Sequence, residues 1–176
     1  MRHITLITTG GTIEKTYDEM TGELTNRVSI VGRMLEQLRL EDTKVKVVEL
    51  MRKDSLHMTD ADRASIVRAV RKALTAGTRG RRKSEEPGGI VILHGTDTLT
   101  TTGDKIHAEI KPLSVPIVLT GAMRPFEMTR SDALQNLTEA IFAAGMLDPG
   151  IYCAAHGRVL AFPGVKKDRS RGTFVK

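Results

Sequence analysis

The sequence predicts an α/β domain of three layers, a largely parallel sheet flanked by helices. Two observations carry this. Short apolar runs rich in β-branched residues alternate along the chain with stretches whose apolar residues recur at helical spacing. Three of those runs end in polar, glycine-bearing turns, which is where α/β proteins hold ligands. With 176 residues, 40% of them hydrophobic, the chain is read as one domain over 1–176 with a core of its own.

The elements follow in order. Residues 3–7 alternate and are β-rich, giving a first strand whose exit turn is Thr8-Thr9-Gly10-Gly11. Residues 14–27 are polar and contain Tyr17, and read as a surface loop beside that turn, the usual place for a lid. Val31, Leu35 and Leu38 form one face of a short helix. Val45, Val47 and Leu50 alternate with Lys44, Lys46 and Glu49 in a second strand, which exits through Asp54 and Ser55. Thr59-Asp60-Ala61-Asp62 opens the next helix as a capping box with Asp in place of Glu, and Gly77 closes it. Residues 78–88 are a charged loop, the segment most prone to disorder.

Residues 89–93 are an uninterrupted apolar run, a buried strand. It ends in His94-Gly95-Thr96-Asp97-Thr98, before a helix over 99–110 that Pro112 stops. A strand over 115–119 exits through Thr120-Gly121-Ala122-Met123-Arg124-Pro125. A helix spans 132–144, and strands at 151–155 and 159–162 form a hairpin through His156-Gly157. The tail from Pro163 is basic and polar and reads equally as a frayed terminus.

Several classes of function drop out on composition. No run approaches the length of a membrane span. The N-terminus runs directly into a strand and reads as carrying no cleavable signal. The single cysteine, Cys153, excludes an internal disulfide, reads as a buried inert thiol, and fits a reducing, cytoplasmic setting. Net charge +6 invites a nucleic-acid partner. However, Arg63, Arg68, Arg71 and Lys72 share one helix, and Arg79, Arg81, Arg82 and Lys83 one loop. Aromatics are 3%, so there is little on which to stack bases. A solvated helix face and a loop account for the charge.

Motif by motif, Thr9-Gly10-Gly11-Thr12 lacks the third glycine of a dinucleotide fingerprint, and no phosphate-binding P-loop occurs. The five histidines show no metal-ligand spacing, and there is no nucleophile elbow. What remains is Thr, Lys and Asp in polar turns. A threonine hydroxyl attacks only once a base takes its proton, and a desolvated lysine can be that base. On the residues alone, Thr96 reads equally as a helix cap or as a catalytic group.

T-T-G-G-T-I at 8–13 and H-G-T-D-T at 94–98 resemble the two signature turns of the bacterial-type L-asparaginases. T-G-A-M-R-P at 120–125 and S-D-x-x-x-N-L from Ser131 to Leu137 resemble that family's following segments, in the same order. The resemblance spans nearly the whole chain but only the family's first domain. The smaller C-terminal domain reads as absent, as in the short single-domain asparaginases or a truncated longer one.

The resemblance implies residue roles. Thr12 matches the hydroxyl that attacks the side-chain amide. Thr96 and Asp97 match the second threonine and the acid that holds the substrate α-amino group. Ser55 matches the serine on the α-carboxylate. Lys167 matches the lysine paired with the second threonine, with Lys166 as its rival. Tyr17 matches the mobile tyrosine, at a shorter spacing than in many members, and His57 stands where many members have Asp. Backbone N–H groups of the turns containing Gly11 and Gly95 would hold the oxyanion.

The implied activity is hydrolysis of L-asparagine to L-aspartate and ammonia through an acyl-enzyme, with no cofactor and no metal. Two other classes stand beside it: a silent asparagine- or aspartate-binding sensor, and an asparaginase-like subunit of a tRNA-dependent amidotransferase. The resemblance further implies that full-length members complete each site from a neighbouring subunit's second domain. Without that domain the chain is expected to be a homo-oligomer, at least a dimer, of weak, millimolar-range affinity.

Overall fold

Residues 1–75 and 88–176 are described in the computed structural model. The chain begins with β1 (Arg2–Gly10), followed by a hairpin of β2 (Thr16–Asp18) and β3 (Glu23–Thr25), then α1 (Val31–Leu35), β4 (Thr43–Lys53) and α2 (Asp60–Thr75). After these come β5 (Gly89–Leu93), α3 (Leu99–Glu109), β6 (Ile117–Thr120), α4 (Ala133–Ala144) and the hairpin β7 (Ile151–Ala155) and β8 (Arg158–Ala161). A last hairpin pairs β9 (Lys166–Asp168) with β10 (Thr173–Val175).

The main sheet has the order β4-β1-β5-β6-β7-β8. All its pairings are parallel except β7 with β8. Every residue of β5 and β6 is buried, as expected for inner strands of a parallel sheet covered on both faces. The strand period of two then sorts side chains between the layers. Ile90, Ile92, Ile117 and Leu119 pack with Ile66, Val70, Leu99 and Ile106 of α2 and α3. Val91, Leu93 and Val118 pack with Val31, Met34, Leu137 and Ile141 of α1 and α4. The expected three layers are therefore present, and β4 and β8 are the two edges.

The capping box at α2 forms. Asp62 Oδ2 accepts the Thr59 N–H at 2.8 Å, and Thr59 Oγ1 accepts the Asp62 N–H at 3.3 Å. The helix end expected at Gly77 and the charged loop expected over 78–88 fall largely in residues 76–87, outside the described residues.

Four segments differ from their expected form, the first being α1, which ends at Leu35 and leaves Leu38 beyond it. β1 continues through Thr8, Thr9 and Gly10 because its threonines are satisfied inside the sheet: Thr9 Oγ1 donates to Leu93 O at 2.8 Å and Thr8 Oγ1 donates to Glu14. The loop expected over 14–27 is an ordered hairpin. Gly22, at φ 71°, turns it, the Gly22 N–H donates to Asp18 O at 2.7 Å, and Tyr17 lies opposite Leu24. The tail is not frayed. Phe174 and Val165 are 2% exposed and anchor it, and the Asp168 carboxylate accepts the N–H groups of Ser170 and Arg171 to close the β9–β10 turn.

Candidate active site

Strand register brings the exits of four strands to one level. Thr8 lies opposite Leu93, Leu93 opposite Thr120, and Gly10 opposite Lys53. The turns carrying Thr12, Ser55, Thr96 and Gly121 therefore leave the sheet side by side, at the carboxyl ends of parallel strands.

These turns touch main chain to main chain. A Cβ built on Gly11 would stand 2.4 Å from the Gly95 amide nitrogen, and Gly11 holds φ 81°. A Cβ on Gly95 would stand 2.5 Å from Ser55 Oγ, and one on Gly121 would stand 2.2 Å from His94 O and 3.2 Å from Thr96 Cγ2. Only glycine permits such approach. The glycines thus set the distances between the turns that carry the hydroxyls.

His94 fixes its own turn from below. It is completely buried, its Nδ1 is 2.8 Å from Gly95 O and its Nε2 is 2.8 Å from Thr102 Oγ1. This pattern defines a neutral ring that donates through Nδ1 to the carbonyl and accepts the threonine hydroxyl at Nε2. Burial holds its pKa down to about 4, so the ring stays neutral at physiological pH.

β9 delivers Lys167. Its Nζ donates to Thr96 Oγ1 at 2.7 Å and to Asp97 Oδ1 at 3.0 Å. Thr96 is 4% exposed, so this contact is largely shielded from water. Arg169 reaches the same Asp97 oxygen at 2.8 Å. Partial burial would raise the Asp97 pKa, but the hydrogen bond and charge of Lys167, then Arg169, hold it below the ordinary carboxylate range. Lys166 is exposed. Successive strand side chains face opposite ways, so only one of the two lysines can meet Thr96.

Ser55 is buried, and its Oγ has no hydrogen-bond partner among the described residues. An unpaired buried hydroxyl is costly unless something fills its place. Asp54 caps the same turn by accepting the Leu56 N–H at 3.0 Å, and it pairs with Lys15 at 2.6 Å. Thr12 is half-buried, in a short 3-10 turn after Gly11. The Gly11 N–H donates to Lys53 O at 2.9 Å and is therefore already committed. Tyr17 stands apart: it is 59% exposed on β2, and the cluster does not include it. His57 lies in the 3-10 turn Ser55–His57.

Some participants were not visible as such in the sequence. Asn26 Nδ2 donates to Gly11 O at 2.8 Å, linking the β2–β3 hairpin to the Thr12 turn. Glu14, 2% exposed, accepts the hydroxyls of Thr8 and of Ser29, the latter at 2.6 Å. Those bonds close the base of the hairpin, and burial pushes its carboxyl pKa up. No short motif predicts either contact. Among the described residues, no group of three or more His, Cys, Asp or Glu side chains converges as a metal site, and no helix is long and apolar enough to cross a membrane.

The exit of β5 in the parallel sheet presents Thr96 and Asp97, and the β9–β10 hairpin brings Lys167 into contact with both. The family model described as "Asparaginase, N-terminal" matches residues 3–174, and the chain belongs to the asparaginase family. It is 32% identical to the L-asparaginase of Thermococcus kodakarensis over 93% of its length and 47% of that protein. It superposes on the solved structure of that thermostable enzyme with a TM-score of 0.77, covering 94% of this chain and 47% of that one. A probable cytoplasmic L-asparaginase from Campylobacter jejuni gives a TM-score of 0.76 at 26% identity, covering 95% of this chain and 48% of that one. The chain is also 34% identical to a subunit of the glutamyl-tRNA(Gln) amidotransferase from Pyrobaculum aerophilum, over 77% of its length and 30% of that protein. It thus spans about half the length of the asparaginases it matches.

Proposed function

We propose that this chain hydrolyses the side-chain amide of L-asparagine, giving L-aspartate and ammonia. The observation that carries the reading is the Lys167 amine placed 2.7 Å from the Thr96 hydroxyl, with Asp97 beside both. In the first half-reaction Thr12 Oγ attacks the amide carbon and gives up its proton. The C–N bond breaks and the nitrogen leaves as ammonia. In the second, water attacks the acyl-enzyme, aspartate departs and the Thr12 hydroxyl is restored. Thr96, Lys167 and Asp97 form the proton-handling set. The ionised Asp97 receives the α-ammonium, and the unpaired Ser55 hydroxyl donates to the α-carboxylate. Backbone N–H groups of the Thr12 and Gly95 turns meet the oxyanion. Tyr17 closes over the site when the β2–β3 hairpin moves.

The domain is proposed to act as a homo-oligomer, at least a dimer. Phe142, Met146 and Val159, exposed at 61%, 57% and 45%, lie together where α4 meets β8, and such a patch favours a covering copy. A cytoplasmic location is supported by one buried thiol, Cys153, whose pKa burial pushes up to about 12. The C. jejuni neighbour's name points the same way.

Ammonia release from asparagine and from glutamine by the purified chain, with light scattering at the same concentration, tests this. Turnover on asparagine is expected from an oligomer. Binding of asparagine without ammonia release would make the chain a sensor. The relationship to the amidotransferase of P. aerophilum favours one further reading, a component that acts beside tRNA. Salt-dependent tRNA binding would support that reading over a free-standing enzyme.

A further inference from the structure

Three residues outside the proposed catalytic set form a continuous chain of hydrogen bonds. His156 sits at the β7–β8 turn. Its Nε2 is 2.8 Å from Asp132 Oδ2 and its Nδ1 is 3.1 Å from Thr173 Oγ1. Each end of this chain leads to Thr96 from a different side. The Asp132 carboxylate also accepts the N–H groups of Met123, at 2.9 Å, and Arg124, at 3.0 Å. It thereby holds the loop that starts at Gly121, whose main chain packs beneath Thr96. Asn136 reinforces the hold, donating to Gly121 O and to Asp132, each at 2.9 Å, and accepting the His156 N–H at 3.0 Å. At the other end, Thr173 is the first residue of β10, and the next residue, Phe174, pairs with Lys167 in β9.

The imidazole therefore joins the loop under Thr96 to the hairpin that brings Lys167 beside Thr96. β9 and β10 have three residues each and pair only with one another, so the hairpin needs an external tie to hold one position. Burial of Phe174 supplies an apolar anchor, but a ring packed in a core does not fix an amine to within a hydrogen bond's tolerance. Directed bonds do so: the His156 ring meets Thr173 Oγ1, and Arg158 Nη1 donates to Phe174 O at 3.2 Å.

We propose that His156, bridging Asp132 and Thr173, is a positioning residue that sets the Lys167–Thr96 spacing. The inference rests on the amidohydrolase reading for its catalytic consequence. Its structural consequence can be read without any activity.

The test uses the full chain with His156→Ala, His156→Gln and Thr173→Val. The last removes one hydroxyl and keeps the volume, so it preserves folding if the alanine variant does not. Two readouts are taken. The first is the rate at which the Lys167 amine is acylated by a water-soluble anhydride, mapped by mass spectrometry. The second is kcat and KM for asparagine. Release of the hairpin should raise the Lys167 acylation rate roughly tenfold in Thr173→Val and His156→Ala, leaving Lys166 unchanged. It should lower kcat about 10- to 100-fold with KM within about twofold, the scale expected of a misplaced group. His156→Gln, which can still donate to Asp132 and accept from Thr173, should recover part of both. Unchanged Lys167 reactivity in the Thr173→Val protein would overturn the proposal, as would a loss carried by KM alone. A chain that shows the reactivity change but releases no ammonia even as wild type would leave the tie standing and remove the amidohydrolase reading instead.

Discussion

Lys167 donates a 2.7 Å hydrogen bond to Thr96 across 71 positions of sequence. It joins the strand exit of β5 to a hairpin near the end of the chain. The amine has little else to hold it except Asp97, which already shares Arg169. The threonine, the lysine and the aspartate thus behave as one unit, and removing any member leaves the others with unmet charge or hydrogen bonds.

Thr12→Ala and Thr96→Ala should each lower kcat for asparagine roughly a thousandfold or more, the scale for losing a nucleophile or its activating partner. Near-normal turnover in either protein would reduce that residue to a turn cap.

Lys167→Met should remove at least about a hundredfold of kcat while KM stays close to wild type. Lys166→Met should be nearly silent, since Lys166 faces solvent. Steady-state kinetics on both proteins decide between them, and the reverse pattern would show that Lys166 is the working amine.

Asp97→Asn should weaken asparagine binding by roughly 10- to 100-fold through loss of a charge-assisted contact. The wild-type chain should discriminate by a similar factor against a derivative lacking the α-amino group. Equal kcat/KM on both substrates would take Asp97 out of the clamp.

Gly11→Ala should cost about 3 kcal/mol or more, because its Cβ would enter the Gly95 main chain at 2.4 Å and the backbone would hold φ 81°. Gly157, at φ 75° with nothing within 4 Å, is the control. There Ala meets only the conformational penalty, about 1–2 kcal/mol. Thermal melts should separate the two by several degrees. Equal melting points would mean that the turns can part without loss.

His94 makes stability depend on pH in a particular window. The unfolded chain takes up the proton near 6.5, while the folded ring takes it up only near 4. Its contribution is therefore complete above about pH 6.5 and is lost as pH falls toward 4, on the order of 3 kcal/mol in all. Denaturant midpoints at pH 7.5 and 4.5 should fall further apart in the wild type than in His94→Gln. Parallel losses in both proteins would be evidence that other groups govern acid unfolding.

Much of this was legible beforehand, and for identifiable reasons. The inner strands are continuous apolar runs, because both their faces are covered, and their polar exits stand out by contrast. Thr12 and Thr96 follow such exits, while Ser55 follows the alternating edge strand β4, and all three read as polar turns at strand ends. The hairpins were hidden. Residues 14–27 and the tail lack long apolar alternation, because they are held by single contacts: Gly22 at positive φ, Asn26 on the Gly11 carbonyl, and buried Phe174. Spacing cannot separate Lys166 from Lys167, because the choice depends on which way a three-residue strand faces. Glu14 reads as one more polar loop residue until its burial is seen, since nothing local announces partners at Thr8 and Ser29.

The outer strand β4 gives the chain's basic character a role in keeping molecules apart. Eleven residues long and unpaired on one side among the described residues, it offers a ready template on which a stray strand could nucleate aggregation. Lys44, Lys46, Glu49, Arg52 and Lys53 are all exposed along it. A second molecule approaching edge to edge would set like charges against like and lose the hydration of their ammonium and guanidinium groups. The positive charge along β4, which at first suggests an affinity for polyanions, opposes such edge-to-edge pairing.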